Sequence, residues 1–346
     1  MPGRPCPDHV GRPCFGLVGR SCLTLAVARS RQSPSELFHA ALDGDRSSLA
    51  RMLSMIERGD DEAREIGRLA YPRSGSGYTV GMTGAPGAGK STLTSAVIAH
   101  LRSLELEIAV LAIDPSSPFT GGAILGDRVR MQDHATDPGV FIRSMATRGH
   151  LGGLALATPE AVRALDAIGR RWILVETVGV GQVEVEVAGK ADTTIVVVNP
   201  GWGDSVQANK AGLMEIADVF VINKADRKGA AETRRDLQQM LDLTDLAEDD
   251  WRAPILETTA TSGDGIEALW DTVLEHRAFS ESSGLLAERR TFRLGEELRE
   301  IIAQRLGRRA RQICTGDRWD ELTAEVAERA TDPWTAADEM LAGVEA

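Results

Sequence analysis

A glycine-rich run at residues 84–91 carries the residues with the clearest chemistry. It reads Gly84-Ala-Pro-Gly-Ala-Gly-Lys90-Ser91 and matches the spacing G-x-x-x-x-G-K-[ST]. Backbone N–H groups of such a loop curl around a phosphate, and the N-terminus of a following helix adds positive potential. The ammonium of Lys90 is suited to span two phosphates, and the hydroxyl of Ser91 is suited to bind Mg²⁺. The run therefore predicts a site for a nucleotide phosphate with Mg²⁺.

The flanking sequence supports this interpretation. An apolar, β-branched run at 78–84 precedes the loop, and a helical pattern follows at 92–101. The alternative is a glycine-rich turn that ends in Lys-Ser by chance, and it does not account for a strand and a helix in both expected places. The residues that we assign to phosphate binding are Gly84, Ala85, Pro86, Gly87, Ala88, Gly89, Lys90, Ser91 and Thr92.

A second polar motif, Asn223-Lys224-Ala225-Asp226, predicts which base the nucleotide carries. The Asp226 carboxylate can accept two N–H bonds from guanine, whereas adenine offers a lone pair at N1 and no amine at C2. Asn223 can bond the other edge of the base, and the stem of Lys224 can lie against the ring. The motif follows the apolar run 219–222, where a base-reading loop belongs, and therefore favours GTP and GDP over adenine nucleotides.

A third element of the base site is predicted at Thr258-Thr259-Ala260, after the apolar run 254–258. A backbone N–H near Ala260 can reach the guanine oxygen, so we assign Thr259 and Ala260 to nucleotide binding. An ordinary strand-to-helix loop is the alternative.

Two acidic residues end predicted strands on the nucleotide side. Asp114 ends the run IAVLAID, and Glu176 lies near the end of WILVET. Mg²⁺ takes oxygen ligands and keeps several waters. Both carboxylates are therefore predicted to bind the metal directly or through water, or to orient the attacking water, with Ser91 as a further metal ligand. A helix N-cap or a surface acid is the alternative for each.

Three loops adjoin these positions and are predicted to respond to the nucleotide. The first spans 115–130. In the second, 176–187, Gly179 can present its N–H to the γ-phosphate and lose that contact after hydrolysis. The third spans 199–210 and carries Trp202, which we interpret as facing a partner, with a core-facing side chain as the alternative.

These positions require strands that end at one edge of a sheet. Short apolar runs recur at 78–84, 108–114, 140–143, 172–177, 193–198, 219–222 and 254–258. Helical patterns separate most of them, which predicts a mostly parallel sheet covered by helices on both faces. Such a sheet binds ligands at the carboxyl ends of its strands, where all of these motifs lie. The predicted fold class is α/β.

Helical patterns flank this region on both sides. Residues 35–57 predict two amphipathic helices that break at Asp43-Gly-Asp45, and residues 71–77 predict a linker. After about residue 280 the strands stop and helical patterns continue. The predicted organisation is a disordered leader at 1–33, an N-terminal helical segment at 34–72, a P-loop domain at 73–279 and a C-terminal helical region at 280–346.

The composition is compatible with a soluble enzyme and disfavours nucleic-acid-binding, disulfide-rich, zinc-binding and membrane-spanning proteins. The chain has 346 residues, 42% of them apolar, and a formal net charge of −12, whereas sequence-independent nucleic-acid binding requires basic surface. The four cysteines form no C-x-x-C pair, so neither a disulfide framework nor a zinc site is expected. A weak signal-like stretch at 15–28 is interrupted by Arg20. No run reaches 18 apolar residues, so we expect no membrane span and a cytoplasmic location.

Together these motifs resemble one family of P-loop GTPases, the MeaB/ArgK family of cobalamin-mutase chaperones. The resemblance covers about residues 35–345, and its long second segment and the glutamate of ETVGVGQ make it specific. Arg128 stands where many members have lysine, a change that keeps the charge. The segments that carry it are GAPGAGKST (84–92), DPSSPFTGGAILGDRVRM (114–131), FIRSMATRGHLGGLA (141–155), ETVGVGQVEVEV (176–187), GDSVQANKAG (203–212) and NKAD (223–226).

The resemblance implies a GTPase that uses GTP/GDP and Mg²⁺ and serves an adenosylcobalamin-dependent acyl-CoA mutase, such as methylmalonyl-CoA or isobutyryl-CoA mutase. It implies that the protein gates cofactor loading, protects the mutase from inactivation and forms a homodimer through its C-terminal helices. By motif, the catalytic residues are Lys90, Asp114, Asp127 and Glu176. The switch and partner residues are Gln182, Asp204, Gln207 and Lys210, the last of which matches the lysine that couples hydrolysis to the mutase.

Two other functions remain open. A nickel-insertion GTPase shares the wider fold but normally shows His- or Cys-rich stretches, which this sequence lacks. A kinase, which an older transport-kinase label of some relatives suggests, needs an acceptor pocket that no sequence feature indicates. The phosphate loop contains no arginine, so intrinsic turnover should be slow, with Arg143 and Arg148 as charge stabilisers.

Overall fold

The structure is a computed structural model that describes residues 32–59, 61–114, 134–146, 151–177, 190–201, 215–243, 247 and 249–345. The chain divides into two units, Met1–Ser33 and Pro34–Ala346, and every helix and strand given below lies in the second unit. Within the described ranges, no helix is both long enough and apolar enough to cross a bilayer.

A seven-stranded parallel sheet organises the second unit. The strand order is β3-β2-β4-β1-β5-β6-β7, and each neighbouring pair is parallel. The strands are β1 (Tyr78–Gly84), β2 (Ile108–Asp114), β3 (Val140–Ala146), β4 (Trp172–Thr177), β5 (Thr193–Val198), β6 (Val219–Asn223) and β7 (Ile255–Thr258). The predicted fold class is confirmed, and each predicted strand is present, although β3 extends beyond the predicted 140–143.

The helices precede, separate and follow the strands. They are α1 (Pro34–Leu42), α2 (Arg46–Arg58), α3 (Asp61–Ala70), α4 (Lys90–Ser103), α5 (Leu151–Ala167), α6 (Ala230–Leu241), α7 (Ile266–Ser282), α8 (Leu285–Ile313), α9 (Asp317–Ala327) and α10 (Pro333–Glu345), with a 3₁₀ turn at Tyr71–Arg73. The predicted break between the first two helices is present at Asp43–Asp45, where the Asp45 carboxylate accepts the N–H groups of Ser47 and Ser48 and caps α2.

The two faces of the sheet bury separate apolar clusters. On β2, Ile108 and Val110 belong to the cluster with α4 and α7, whereas Ala109 and Leu111 belong to the cluster with α1, α2 and α5. This alternation follows from the two-residue period of a strand. Because both faces are covered, the strands are apolar almost throughout, as the sequence indicated.

Helix α3 lies within the predicted helical segment 34–72, but it was not predicted as a separate helix. Its sequence, DEAREIGRLA, is short and mostly polar, and only Ala63, Ile66 and Ala70 are buried. Their spacing of three and four residues is helical, but three small or medium apolar residues gave too weak a signal beside the predicted linker at 71–77.

Two buried carboxylates organise the amino edge of the sheet, which we define by Asp192 before β5 and Asp218 before β6. The Asp192 carboxylate accepts the backbone N–H of Thr79 at 3.0 Å, and the Asp218 carboxylate accepts that of Thr194 at 2.8 Å. Each carboxylate thereby satisfies an N–H group at the start of the neighbouring strand.

Three arginines of α8 pair with these carboxylates. Arg289 lies 2.9 Å from Asp218, while Arg290 and Arg293 lie 2.6 Å and 2.5 Å from Asp192. Burial by itself raises the pKa of Asp192, but the two arginines outweigh it and hold that pKa below its usual range. Burial also raises the pKa of Asp218, but His276 and Arg289 outweigh this effect, so the pKa of Asp218 is lowered as well. The first turns of α8 are therefore fastened to the sheet by ion pairs.

Candidate functional site

The phosphate loop begins at Gly84, the last residue of β1, where any side chain would clash with the neighbouring strand. Gly84 has φ 133°, and an added Cβ would lie 1.9 Å from the carbonyl oxygen of Val197 on β5. The next N–H, that of Ala85, donates to the same carbonyl at 3.1 Å. The close approach of β5 therefore supports the start of the loop and requires glycine at this position.

Lys90 follows the loop, and its side chain reaches back to the first residues of the loop. Its side chain is buried, and the ammonium donates to the carbonyls of Gly84 at 2.9 Å and Ala85 at 3.2 Å. Helix α4 begins at Lys90, and Gly89 before it has φ 91° and no side chain to cap the helix. The first-turn N–H groups of α4 thus face the loop together with a cation, which is the arrangement that attracts an anion. Ser91, also buried, follows in that turn.

Asn223 joins the base-reading motif to the phosphate loop. Its Nδ2 donates to the Ala88 carbonyl at 2.8 Å and lies 3.4 Å from the Gly89 carbonyl. Its Oδ1 accepts the Thr258 hydroxyl and the Ala260 N–H, each at 3.2 Å. In this structure Asn223 and the Ala260 N–H, both predicted to contact the base, bond to each other.

Lys224 lies across the outer side of the phosphate loop. It has φ 62°, and its ammonium donates to the Gly87 carbonyl at 2.7 Å. An added Cβ on Gly89 would lie 2.6 Å from Asn223 Nδ2 and 3.5 Å from the Lys224 Cε. The motif therefore packs so closely on the loop that Gly89 has no room for a side chain. Asp226, two residues later, is exposed.

The loop after β7 is braced internally. The Thr259 N–H donates to the Asp264 carbonyl at 3.0 Å, and the two residues form an isolated bridge. Gly265 closes the turn with φ 76°, where an added Cβ would lie 2.3 Å from the Glu257 carbonyl oxygen. Thr259 and Ala260 are thus held beside β6, next to the Asn223 motif.

Glu176 lies beside the phosphate-loop strand. It pairs in register with Met82 of β1 and Ala112 of β2, and only 1% of it is exposed. Trp172 and Leu174, at two-residue spacing before it, belong to the apolar cluster that includes α4. Glu176 therefore lies on the face of the sheet that the phosphate-loop helix covers.

Asp114 ends the adjacent strand. It is the last residue of β2 and pairs in register with Ala146, while Ile113 pairs with Thr177. Asp114 is the last residue of β2 and Glu176 the last but one of β4, so both lie at the same edge of the sheet, as predicted. The side chain of Asp114 lies outside the described part of the chain.

Several predicted residues lie outside the described part of the chain, and their roles stay predictions. These are Asp127, Gly179, Gln182, Asp204, Gln207 and Lys210, together with Arg148 and Trp202. Arg143 is described, and its guanidinium donates to Ser54 at 2.9 Å and Glu57 at 3.0 Å, both on α2. It holds the N-terminal helices to β3, which does not support a role as charge stabiliser.

One contact at the site, between Thr258 and Asn223, was not predicted from the sequence. Thr258 was included in the predicted base-side element 258–260 without a role of its own, yet its buried hydroxyl bonds to Asn223. The available signal was a polar residue at the carboxyl end of a strand. The contact forms because the register of β6 and β7 places Asn223 opposite Thr258. No local sequence pattern indicates that register.

Comparison with known proteins places this site in a family. Residues 49–314 match the sequence model described as methylmalonyl-CoA mutase-associated GTPase MeaB. A Pyrococcus abyssi protein named as a GTPase is 51% identical over 308 residues, which cover 88% of this chain and 95% of that protein. GTPase ArgK of Escherichia coli is 37% identical over 264 residues, which cover 74% of this chain and 80% of ArgK.

A solved structure extends the comparison to three dimensions. A protein described as an LAO/AO transport system kinase superposes with a TM-score of 0.67 at 26% identity, covering 91% of this chain and 98% of that one. The phosphate loop, the base-reading motif beside it and the sequence matches agree with one another. The chain is a P-loop GTPase, and it belongs to the family of methylmalonyl-CoA mutase-associated GTPases, MeaB.

Proposed function

We propose that this GTPase gates the loading of adenosylcobalamin into an acyl-CoA mutase, methylmalonyl-CoA or isobutyryl-CoA mutase, and protects that enzyme from inactivation. The observation that carries the proposal is the match of residues 49–314 to a family described by its association with methylmalonyl-CoA mutase. The nucleotide state would be the signal that the mutase reads.

In this proposal the phosphate loop holds the β- and γ-phosphates. Lys90 moves from loop carbonyls to phosphate oxygens, which replaces neutral acceptors by charged ones and strengthens its bonds. Ser91, Asp114 and Glu176 hold Mg²⁺ directly or through water, and Asp127 belongs to the catalytic set. When bound, Mg²⁺ neutralises charge that develops on the phosphate oxygens. A hydroxyl and two carboxylates suit this ion, which prefers oxygen ligands and retains waters.

The guanine base lies, in this proposal, against Lys224 and is read by Asp226. The exposed carboxylate of Asp226 accepts two N–H bonds from guanine, and adenine cannot supply them. The braced loop at Thr259 and Ala260 closes the other side of the base. Selectivity for GTP then follows from unpaired polar groups when the wrong base enters.

The predicted loops 115–130, 176–187 and 199–210 transmit the nucleotide state. Gly179 contacts the γ-phosphate only before hydrolysis, and Gln182, Asp204, Gln207 and Lys210 present the result to the mutase. Segments that are ordered by contacts to the γ-phosphate and released on hydrolysis are an established way of reporting the nucleotide state.

A homodimer through the C-terminal helices is also part of the proposal. Across its 29 residues, all described, α8 has none that is buried. Leu298, Ile302 and Leu306 follow one another at four-residue spacing and are 58%, 49% and 62% exposed. An exposed apolar stripe of this kind suits burial against another helix.

The test is steady-state hydrolysis of GTP and ATP by the full chain, alone and with each purified cobalamin-dependent mutase. We expect slow GTP turnover, little ATP turnover, and stimulation of GTP turnover by one mutase, more by its cofactor-free form than by its loaded form. A cobalamin-independent enzyme of similar size serves as the control. GTP turnover that no mutase changes would retain the GTPase assignment and remove the mutase role.

A further inference from the structure

The groups around Asn223 allow only one orientation of its side-chain amide. The Ala88 carbonyl only accepts hydrogen bonds, and the Ala260 N–H only donates them. A flipped amide would set oxygen against oxygen at Ala88 and N–H against N–H at Ala260, where the present bonds measure 2.8 Å and 3.2 Å. The hydroxyl of Thr258 adds a second donor to Oδ1 at 3.2 Å. Because Thr258 and Asn223 are each 1% exposed, water does not compete for these groups.

This amide determines the direction of one peptide plane in the phosphate loop. In a planar trans peptide the carbonyl and the following N–H point in opposite directions. The bond from Asn223 Nδ2 to the Ala88 carbonyl therefore turns the Gly89 N–H away from Asn223. Gly89 has φ 91°, a conformation open to glycine, so the peptide before it has little intrinsic resistance to rotation.

We propose that Thr258 is a positioning residue for phosphate binding, which acts through Asn223 to keep the Gly89 N–H aimed at the nucleotide phosphate. The inference rests on the phosphate binding proposed above for the loop that contains Gly89 and does not depend on the mutase. Thr258 ends β7 opposite Asn223, so the contact is set by strand register and persists whichever base is bound. Its loss should weaken phosphate binding and leave base selection, which Asp226 provides, unchanged.

The experiment compares T258A with T258S, which differ by one hydroxyl and share the loss of the methyl group. Affinities for GDP and IDP are measured by titration calorimetry on the full chain at a temperature where thermal unfolding shows each variant folded. We expect T258A to bind GDP about threefold to tenfold more weakly than T258S, the range for one neutral hydrogen bond. The ratio of GDP to IDP affinity should equal that of the wild type, whereas D226N should lower it.

The control is the pair T272A and T272S. Thr272 is buried in α7 and donates its hydroxyl to the Ala268 carbonyl at 2.9 Å within the same helix. That pair removes a comparable hydroxyl without touching the phosphate loop, so both variants should bind GDP like the wild type. If T258A does not fold, T258V is compared with the wild type, because valine keeps the volume and strand propensity of threonine.

Equal GDP affinities of folded T258A and T258S overturn the proposal. A fall in the GDP to IDP ratio in T258A also overturns it, because Thr258 would then act on the base. A double-mutant cycle adds a third criterion: in an N223A background, T258A should cause no further loss of GDP affinity. An undiminished loss in that background rejects the route through Asn223. None of these outcomes depends on a mutase, so they are separable from the proposed function.

Discussion

The carboxyl and amino edges of the same sheet are built from different chemistry. At the carboxyl edge, Lys90, Asn223 and Lys224 each donate to backbone carbonyls of a glycine-rich loop, and Asn223 also accepts bonds from Thr258 and Ala260. At the amino edge, Asp192 and Asp218 are buried anions that three arginines of α8 neutralise.

This difference in chemistry suits the carboxyl edge to exchanging ligands and the amino edge to stabilising the fold. A lysine bonded to neutral carbonyls can exchange them for phosphate oxygens, because a charged acceptor forms a stronger hydrogen bond. A buried carboxylate cannot lose its arginines without leaving an uncompensated charge. We infer that the carboxyl edge can change with the nucleotide, whereas the amino edge holds the strands and α8 in fixed positions.

The largest expected effect is on GTP turnover, which should depend on a lysine of the carboxyl edge and not on one of the amino edge. Replacing Lys90 by alanine should reduce GTP turnover by on the order of 10³-fold, because one preorganised cation at the phosphates is lost. Phosphate release measured at saturating GTP is the readout, at a temperature where both proteins are folded. K190A, which removes an exposed lysine of the amino edge, is the matched control and should keep wild-type turnover. Retained turnover in K90A would refute the phosphate-site assignment.

The next largest effect is on the free energy of unfolding, which should depend on the buried carboxylates of the amino edge. Asp192→Asn should lower the free energy of unfolding by about 3 kcal/mol, because it leaves Arg290 and Arg293 without their buried anion. Urea unfolding gives the value, and GTP turnover of the folded variant should match the wild type. E296Q removes an exposed carboxylate that pairs with Arg299 on the same helix, and it should change stability by less than about 0.5 kcal/mol. A D192N variant with wild-type stability but altered turnover would reverse the comparison.

The smallest effect concerns acid pH. The pKa of Asp192 and that of Asp218 are lowered on folding, so their stabilisation is present above the unfolded pKa of about 3.9 and is lost as the pH falls through the folded pKa. Unfolding in urea between pH 7 and pH 3 should show this loss in the wild type. In D192N the loss should be smaller by on the order of 1 kcal/mol, since one carboxylate no longer titrates. Parallel curves for both proteins would show that Asp192 is not a source of the acid sensitivity.

Local sequence was sufficient for the parts of the fold that depend on neighbours along the chain. Tyr78–Gly84 and Ile108–Asp114 form strands over the predicted residues because buried parallel strands are apolar throughout. The G-x-x-x-x-G-K-S spacing placed Lys90 at the start of a helix, since loop and helix are consecutive. Helix α3 was missed because its apolar positions are few.

Contacts between residues that are far apart in the chain could not be predicted from local sequence patterns. Asp192 and Asp218 look like ordinary surface acids in the sequence, and nothing near them indicates arginines that lie about 70 to 100 residues later. The bond of Arg143 to Glu57 likewise depends on the packing of α2 on β3, and sequence reasoning assigned this arginine elsewhere.

The sequence by itself determined the class of reaction: a phosphate loop and a guanine-reading motif have short, consecutive signatures because each is formed by a single loop. Only the tertiary structure decided how these loops support each other. The order β4-β1-β5-β6-β7 brings Asn223 between Ala88 and Thr258, and strand order arises from packing of the whole sheet rather than from any local segment. The physical reason is that hydrogen-bond partners separated by 35 and 135 residues are chosen by register and burial, which no local pattern records.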